Sequence, residues 1–241
     1  NVKWWDNEIQ KKFKNIIFLK HNQNFTLKNE ISLQMFINEF DSSLKIKFNN
    51  KCVFLQTDNL MSEKEAKRIS KIDPIDVAFV IPFLTGVFPG FYKWDSDTLI
   101  KLANDKIYKS LNFCTNIIKN LNPKYVIPYA CDLGYLGEKF YINLIHRHNK
   151  EDLVKLVKSK KLKTKPIILN SGDNIDISNK FKLNLKNKLK ISTSESLIRF
   201  ANEKHEEYKK YKDIENRLKK PDIKKLTKKF CDYLAKNINL I

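Results

Sequence analysis

The sequence predicts an α/β fold, an antiparallel meander followed by βα units, with a helical appendage at its C-terminus. Three observations predict it. Short β-like runs separated by Asn, Lys and Asp-Ser-Ser turns fill residues 16–48. From Cys52 onward, apolar runs of four or five residues alternate with helical periodicity, the pattern of βα units. From Lys180 the composition shifts to Lys and Asn and then to two helical patterns split by Pro221. The reading divides the chain into a domain over 1–179 and a Lys-rich helical appendage over 180–241.

Taken in order, residues 16–19, 25–27, 31–40 and 44–48 read as meander strands. Over 31–36, Ile31, Leu33 and Met35 alternate with Ser32 and Gln34, which predicts one buried and one wet face. Asp41-Ser42-Ser43 and Asn49-Asn50 supply turns through side chains that bond their local backbone. Residues 52–56 (CVFLQ) read as a central strand closed by Thr57-Asp58-Asn59. A helix over 62–70 starts at a Ser-x-x-Glu capping box, Ser62 with Glu65, and stops at Asp73-Pro74. Residues 77–81 read as a buried strand, and 82–94 as a Gly/Pro/aromatic loop holding Phe88, Phe91, Tyr92 and Trp94. The spacing of Leu99, Leu102, Ile107, Leu111, Ile117 and Ile118 predicts a helix over 96–120. Residues 125–127 form a strand ending at Pro128-Tyr129, 138–160 carry helical pattern with a join near Asn149, and 166–169 form a last strand before Ser171-Gly172-Asp173. The appendage holds helices over 194–219 and 222–237.

A chain of 241 residues is long enough to bury a sizeable core. No apolar run approaches the roughly 20 residues of a membrane helix, and the first residues lack the apolar stretch of a signal peptide; the protein reads as cytoplasmic, with no membrane partner. Its formal net charge of +19 suggests an anionic partner. Only four of the basic residues are Arg, however, and phosphate or base recognition often recruits the Arg fork, so a nucleic-acid surface is a possible but not a favoured reading. Cys52, Cys114, Cys131 and Cys231 lie far apart without a C-x-x-C pair, which fits reduced thiols better than a zinc ribbon or a disulfide framework.

Asp58 is the sharpest site residue, since it closes a buried strand just before a helix, at the edge where open α/β sheets bind ligands. Its position allows two roles, a local turn cap or a ligand. Asp132 closes the later strand at the equivalent place. Tyr92, Trp94 and Tyr129 combine an apolar body with a polar handle and suit a substrate wall, while Phe88 and Phe91 suit a lid on the core. His146 and His148 point about 200° apart on a helix and cannot share one ion. No G-x-G-x-x-G, P-loop, G-x-S-x-G or H-E-x-x-H motif occurs.

With these residues in order (DSSLKIKFNNKCVFLQTDN, PIDVAFVIPF with its aromatic loop, NPKYVIPYA and ILNSGD), the stretch 16–177 resembles the C-terminal half of a metallo-β-lactamase-fold metalloenzyme. It looks most like the branch containing ascorbate-phosphate lactonases and relatives of CMP-sialic acid hydroxylase. The resemblance implies half of an αββα sandwich. It also implies that Asp58, in VFLQTDN, matches the strand-end Asp that bridges two metal ions, as part of a dinuclear zinc or iron centre. The aromatic loop and residues 129–132 would then shape a pocket for an anionic small molecule of phosphorylated-sugar or nucleotide-sugar type. Two departures stand out: the H-x-H-x-D-H motif is absent, and Pro128-Tyr129-Ala130 replaces a P-x-H, although the hydroxylase-like relatives favour P-[FY]-A there. With Asn rather than Met at position 1, the absent motif suggests a piece of a larger hydrolase or oxygenase whose N-terminal half-domain lies elsewhere. The alternative is a non-catalytic basic α/β module that binds nucleic acid or a protein.

Overall fold

The structure is a computed structural model, and it describes residues 11–12, 16–27, 30–38, 41–82, 89, 92–131, 135, 141–145, 150–170, 172–177, 181–185, 194–217 and 223–237. Seven strands form one sheet in chain order: β1 (Asn24–Thr26), β2 (Ser32–Ile37), β3 (Ser42–Phe48), β4 (Lys51–Leu55), β5 (Val77–Val80), β6 (Tyr125–Pro128) and β7 (Lys165–Pro166). β1 to β4 pair antiparallel as a meander, and β4 to β7 pair parallel. The fold class is therefore α/β, with a meander that runs into βα units.

Each parallel pair needs a crossover, and α1 (Glu63–Ile72), α2 (Ser96–Leu121) and the pair α3 (Ile142–Ile145) and α4 (Lys150–Ser159) supply them. Because the strand order never reverses, right-handed crossovers put these crossover helices on the same face of the sheet. α2 packs against α1, α3 and α4, and its buried stripe runs from Ala103 to Leu121. The main core lies between this helical layer and the sheet, around Phe36, Phe54, Ile69, Val80, Ile117, Ile118 and Leu153.

The helix starts are well specified. Ser62 Oγ accepts from the Glu65 N–H at 3.1 Å, as the capping box requires, and Asp95 caps α2 through the Thr98 N–H. α2 ends at Asn122 in the left-handed conformation, with φ of 48°, and Pro123 prevents continuation.

Several sequence expectations are corrected. In β2 the faces are the reverse of those expected: Gln34 and Phe36 are buried, whereas Leu33 and Met35 are half-buried. Among the described residues the crossover helices cover one face, and Gln34, Phe36, Ser43, Lys45, Cys52 and Phe54 lie on it. The other face carries Leu33, Met35, Leu44, Ile46, Val53 and Leu55, all half-buried. Residues 16–19 are not in a strand, and none of the described residues pairs with them. The strand placed at 166–169 pairs only at Lys165–Pro166, and a hairpin that periodicity missed joins β8 (Asn174–Asp176) to β9 (Lys182–Asn184). Phe181, just before β9, stacks on Tyr125 of β6 at 3.6 Å, beside a small second core of Val77, Ile127 and Ile167. In the helical stretch expected at 138–160, residues 146–149, including His146, Arg147 and His148, lie outside the described residues.

The chain divides into two compact units, Leu19–Tyr208 and Asn1–Phe18 with Lys209–Ile241. Helix α5 (Ser194–Arg217) crosses the division, and α6 (Ile223–Asn237) belongs to the second unit.

Candidate functional site

Parallel pairing sends the C-terminal ends of β4, β5 and β6 to one edge of the sheet, so Gln56-Thr57-Asp58, Ile81-Pro82 and Tyr129-Ala130 emerge side by side. The turn after β4 is strained. Thr57 has φ of 53°, in the left-handed region where a β-branched side chain crowds the backbone. Such a conformation persists only where its surroundings over-determine it.

Four hydrogen bonds do so here. The Gln56 N–H donates to the Phe79 carbonyl at 3.0 Å, and the Ser43 hydroxyl donates to the Gln56 carbonyl at 2.6 Å. The Thr57 hydroxyl donates to the Ser42 carbonyl, and the Thr57 N–H donates to the Tyr129 hydroxyl oxygen at 2.9 Å. The last bond joins two strand ends 72 residues apart in sequence. Ala130, just after β6, repeats the left-handed break with φ of 52°.

Tyr129 is half-buried, with its ring edge-on to Phe79 at 6.1 Å. Burial pushes its phenol above the ordinary tyrosine value; the Thr57 N–H opposes that, and the charges of Asp58 and Asp41 push it up further. Tyr129 is therefore a neutral phenol at physiological pH. Its oxygen already accepts a bond from Thr57, and it keeps a proton to donate.

Asp58 is exposed beside this phenol, and its carboxylate is close enough to act on it electrostatically. Asp41 acts on the same phenol from the turn before β3, where its Oδ1 accepts from the Ser42 N–H at 2.6 Å. The structure thus brings together Asp58 and Tyr129 of the predicted site residues. Tyr92 and Trp94 are exposed, at 54% and 46%, on the segment that leads into α2. Asp132 lies outside the described residues, as do Gly86, Phe88, Gly90 and Phe91 of the aromatic loop.

A metal would find oxygen donors at this edge in Asp41, Asp58 and Tyr129. Among the described residues, however, no three His, Cys, Asp or Glu side chains come together as a ligand set, so these residues alone do not fit a zinc or iron centre.

Sequence reasoning missed Thr57, Asp41 and the pocket beside them. Left-handed turns are usually signalled by Gly or Asn, and a Thr there gives no signal. Asp41 read as a turn residue because its electrostatic influence on Tyr129 joins segments far apart in sequence. A pocket of about 360 Å³ opens next to Thr57, between the strand ends and α2. Its helical wall includes Lys106 and Ser110, which in the sequence look like any solvated positions.

The opposite edge of the sheet is a closed charge network. Lys45 and Lys47 both donate to Asp73, at 2.9 and 2.6 Å, and Lys124 donates to Asp76 at 2.7 Å. The second oxygen of Asp76 accepts from the Cys52 N–H at 2.9 Å. Burial pushes the Cys52 thiol up to about 11, so it stays protonated and inert. These groups satisfy one another, which marks the edge as structural.

The chain is similar in structure to Igni18, a metallo hydrolase from the archaeon Ignicoccus hospitalis, with 15% identity and a TM-score of 0.41, over 70% of this chain and 63% of that one. It is also similar to a Zn-dependent hydrolase of the metallo-β-lactamase superfamily from Thermotoga maritima, with 14% identity and a TM-score of 0.37, over 64% of this chain and 71% of that one. The chain thus spans less than two thirds of the length of the first of these proteins. No protein-family model and no curated protein matches it.

Proposed function

We propose that this chain carries part of the active site of a metal-dependent hydrolase or oxygenase of metallo-β-lactamase fold, of the lactonase and hydroxylase-like branch, acting on an anionic small molecule. The observation that carries the reading is the junction of Asp58 and Tyr129 through a strained Thr57 at the C-terminal strand edge. Strain of this kind clusters at functional sites. Asp58 is a metal ligand in this reading, and Tyr129 donates its phenolic proton to a substrate oxygen.

The described residues do not complete a ligand set, so the other ligands come from outside them. In this reading a further half-domain packs on the half-buried apolar face that carries Leu33, Met35, Leu44, Ile46, Val53 and Leu55. The Lys surplus favours a phosphorylated sugar or nucleotide-sugar as substrate.

The test is a hydrolysis panel of phosphate esters and lactones, run on the longest natural form of the protein. Tyr129→Phe is expected to lower kcat about tenfold, the worth of one hydrogen bond made in the transition state. A variant with unchanged kcat and KM would remove Tyr129 from the site.

A second reading rests on an observation of its own. α6 exposes Lys224, Lys225, Lys228 and Lys229, a stripe suited to an anionic polymer. It predicts binding to RNA or DNA that falls steeply with salt and disappears when these four lysines are reversed to Glu. Absence of binding at moderate salt would eliminate it.

A further inference from the structure

We propose that the pocket between the C-terminal ends of β4 and β5 and helix α2 binds a small organic anion. Its charged group sits on Lys106, Lys109 and Ser110, its apolar body lies against Leu60 and Phe113, and an N–H or O–H donor faces Gln56. This assignment goes beyond the metal reading of Asp58 and does not depend on it.

The geometry comes from two elements. Lys106, Lys109, Ser110 and Phe113 are spaced i, i+3, i+4 and i+7, so they share one face of α2 and line the pocket together. Gln56 lines it from the end of β4. The volume of about 360 Å³ lies within the range of small-molecule sites, and such sites are mostly apolar with a few convergent polar groups.

Gln56 is the second, independent observation. It is buried to 3% exposure; its Nε2 donates to the Asn59 carbonyl at 3.3 Å, while its Oε1 has no hydrogen-bond partner among the described residues. The donor bond to Asn59 fixes which end of the amide is which. An orphaned buried acceptor costs about 1–3 kcal/mol, and a ligand donor would relieve that cost. Lys106 is half-buried, and burial holds its ammonium below the ordinary lysine value, so a nearby anion gains from a partly desolvated partner.

Sequence composition alone would spread anion binding over dozens of lysines. The pocket predicts instead one site that requires both charge and an apolar body. The experiment is a calorimetric titration of the whole 241-residue chain with 4-aminophenyl phosphate, phenyl phosphate and inorganic phosphate. EDTA is present throughout, so a failure of the metal assignment cannot affect the result.

The expected outcome is one saturable site for 4-aminophenyl phosphate, with weaker binding of phenyl phosphate, which lacks the amine donor, and weaker still of inorganic phosphate. Lys106→Met is expected to weaken the aminophenyl ester at least tenfold, while Lys119→Met, at an exposed position of the same helix, leaves it unchanged. Lys106 is half-buried and Lys119 exposed, so circular dichroism of each variant is needed to check that it is folded. Equal losses in the two variants, equal affinity for the three ligands, or no saturable binding would each overturn the proposal.

Discussion

At the scale of single residues, Thr57 organises the candidate site. Its left-handed backbone turns the chain out of β4 so that Asp58 is exposed, and the Tyr129 hydroxyl accepts its N–H. Tyr129→Phe removes that acceptor and leaves the N–H without its partner on β6. The expected cost is about 1 kcal/mol in a urea denaturation experiment, because the lost bond joins two uncharged groups. A Tyr129→Phe protein as stable as the parent would show that the strain at Thr57 does not depend on this bond. The strand-end position of Asp58 was legible in sequence, since an acidic residue closing an apolar run just before a capping box marks the end of a strand. Thr57, Asp41 and Gln56 were not, because their roles arise from backbone angle, from a long-range electrostatic effect and from a missing partner among the described residues, none of which leaves a trace in residue order.

At the scale of elements, the helix starts and the parallel strands were legible, and the facing of the meander was not. Ser62 with Glu65 marked the beginning of α1, and Asp95 caps α2 in the same way. Ser62→Ala is expected to cost about 1 kcal/mol through the orphaned N–H groups of the first turn. Ile118→Ala, in the fully buried stripe of α2, is expected to cost about 3 kcal/mol. Comparing the two in one denaturation series separates local capping from core packing; an Ile118→Ala cost no larger than that of Ser62→Ala would contradict the placement of the core between sheet and helices. In β2 the alternation of apolar and polar residues was visible, but it could not say which face the helices would cover. Gln34, Ser43 and Lys45 ended on the covered side, where Lys45 pairs with Asp73 at 2.9 Å. Hydrophobicity alone assigns such residues to solvent, and only the crossover geometry of β4 to β7 reverses that.

At the scale of the whole molecule, the sheet separates a structural edge from the edge of the candidate site. On the structural edge, burial alone would raise the Asp73 and Asp76 carboxyls, but hydrogen bonds from Lys47, Lys45 and Lys124 outweigh it and hold both below the usual carboxylate range. A carboxyl with a depressed folded-state value contributes stability that is present above its unfolded value, near 4, and is lost as pH falls through the folded one. Unfolding midpoints are therefore expected to be steady from pH 7 to about 5 and to fall below about 4. Asp73→Asn should flatten part of that fall, and an unchanged acid limb would show that the network does not contribute. On the edge of the candidate site, the βα succession that brings Asp58 beside Tyr129 was legible from alternating periodicity, whereas the other groups a metal would need are absent from the described residues. The most direct measurement of the central claim is the metal content of the longest natural form of the protein, determined by elemental analysis beside its Asp58→Ala variant. If Asp58 is a ligand, the parent retains bound zinc or iron after exhaustive dialysis and the variant loses most of it while remaining folded. Equal metal content in the two proteins would contradict the account.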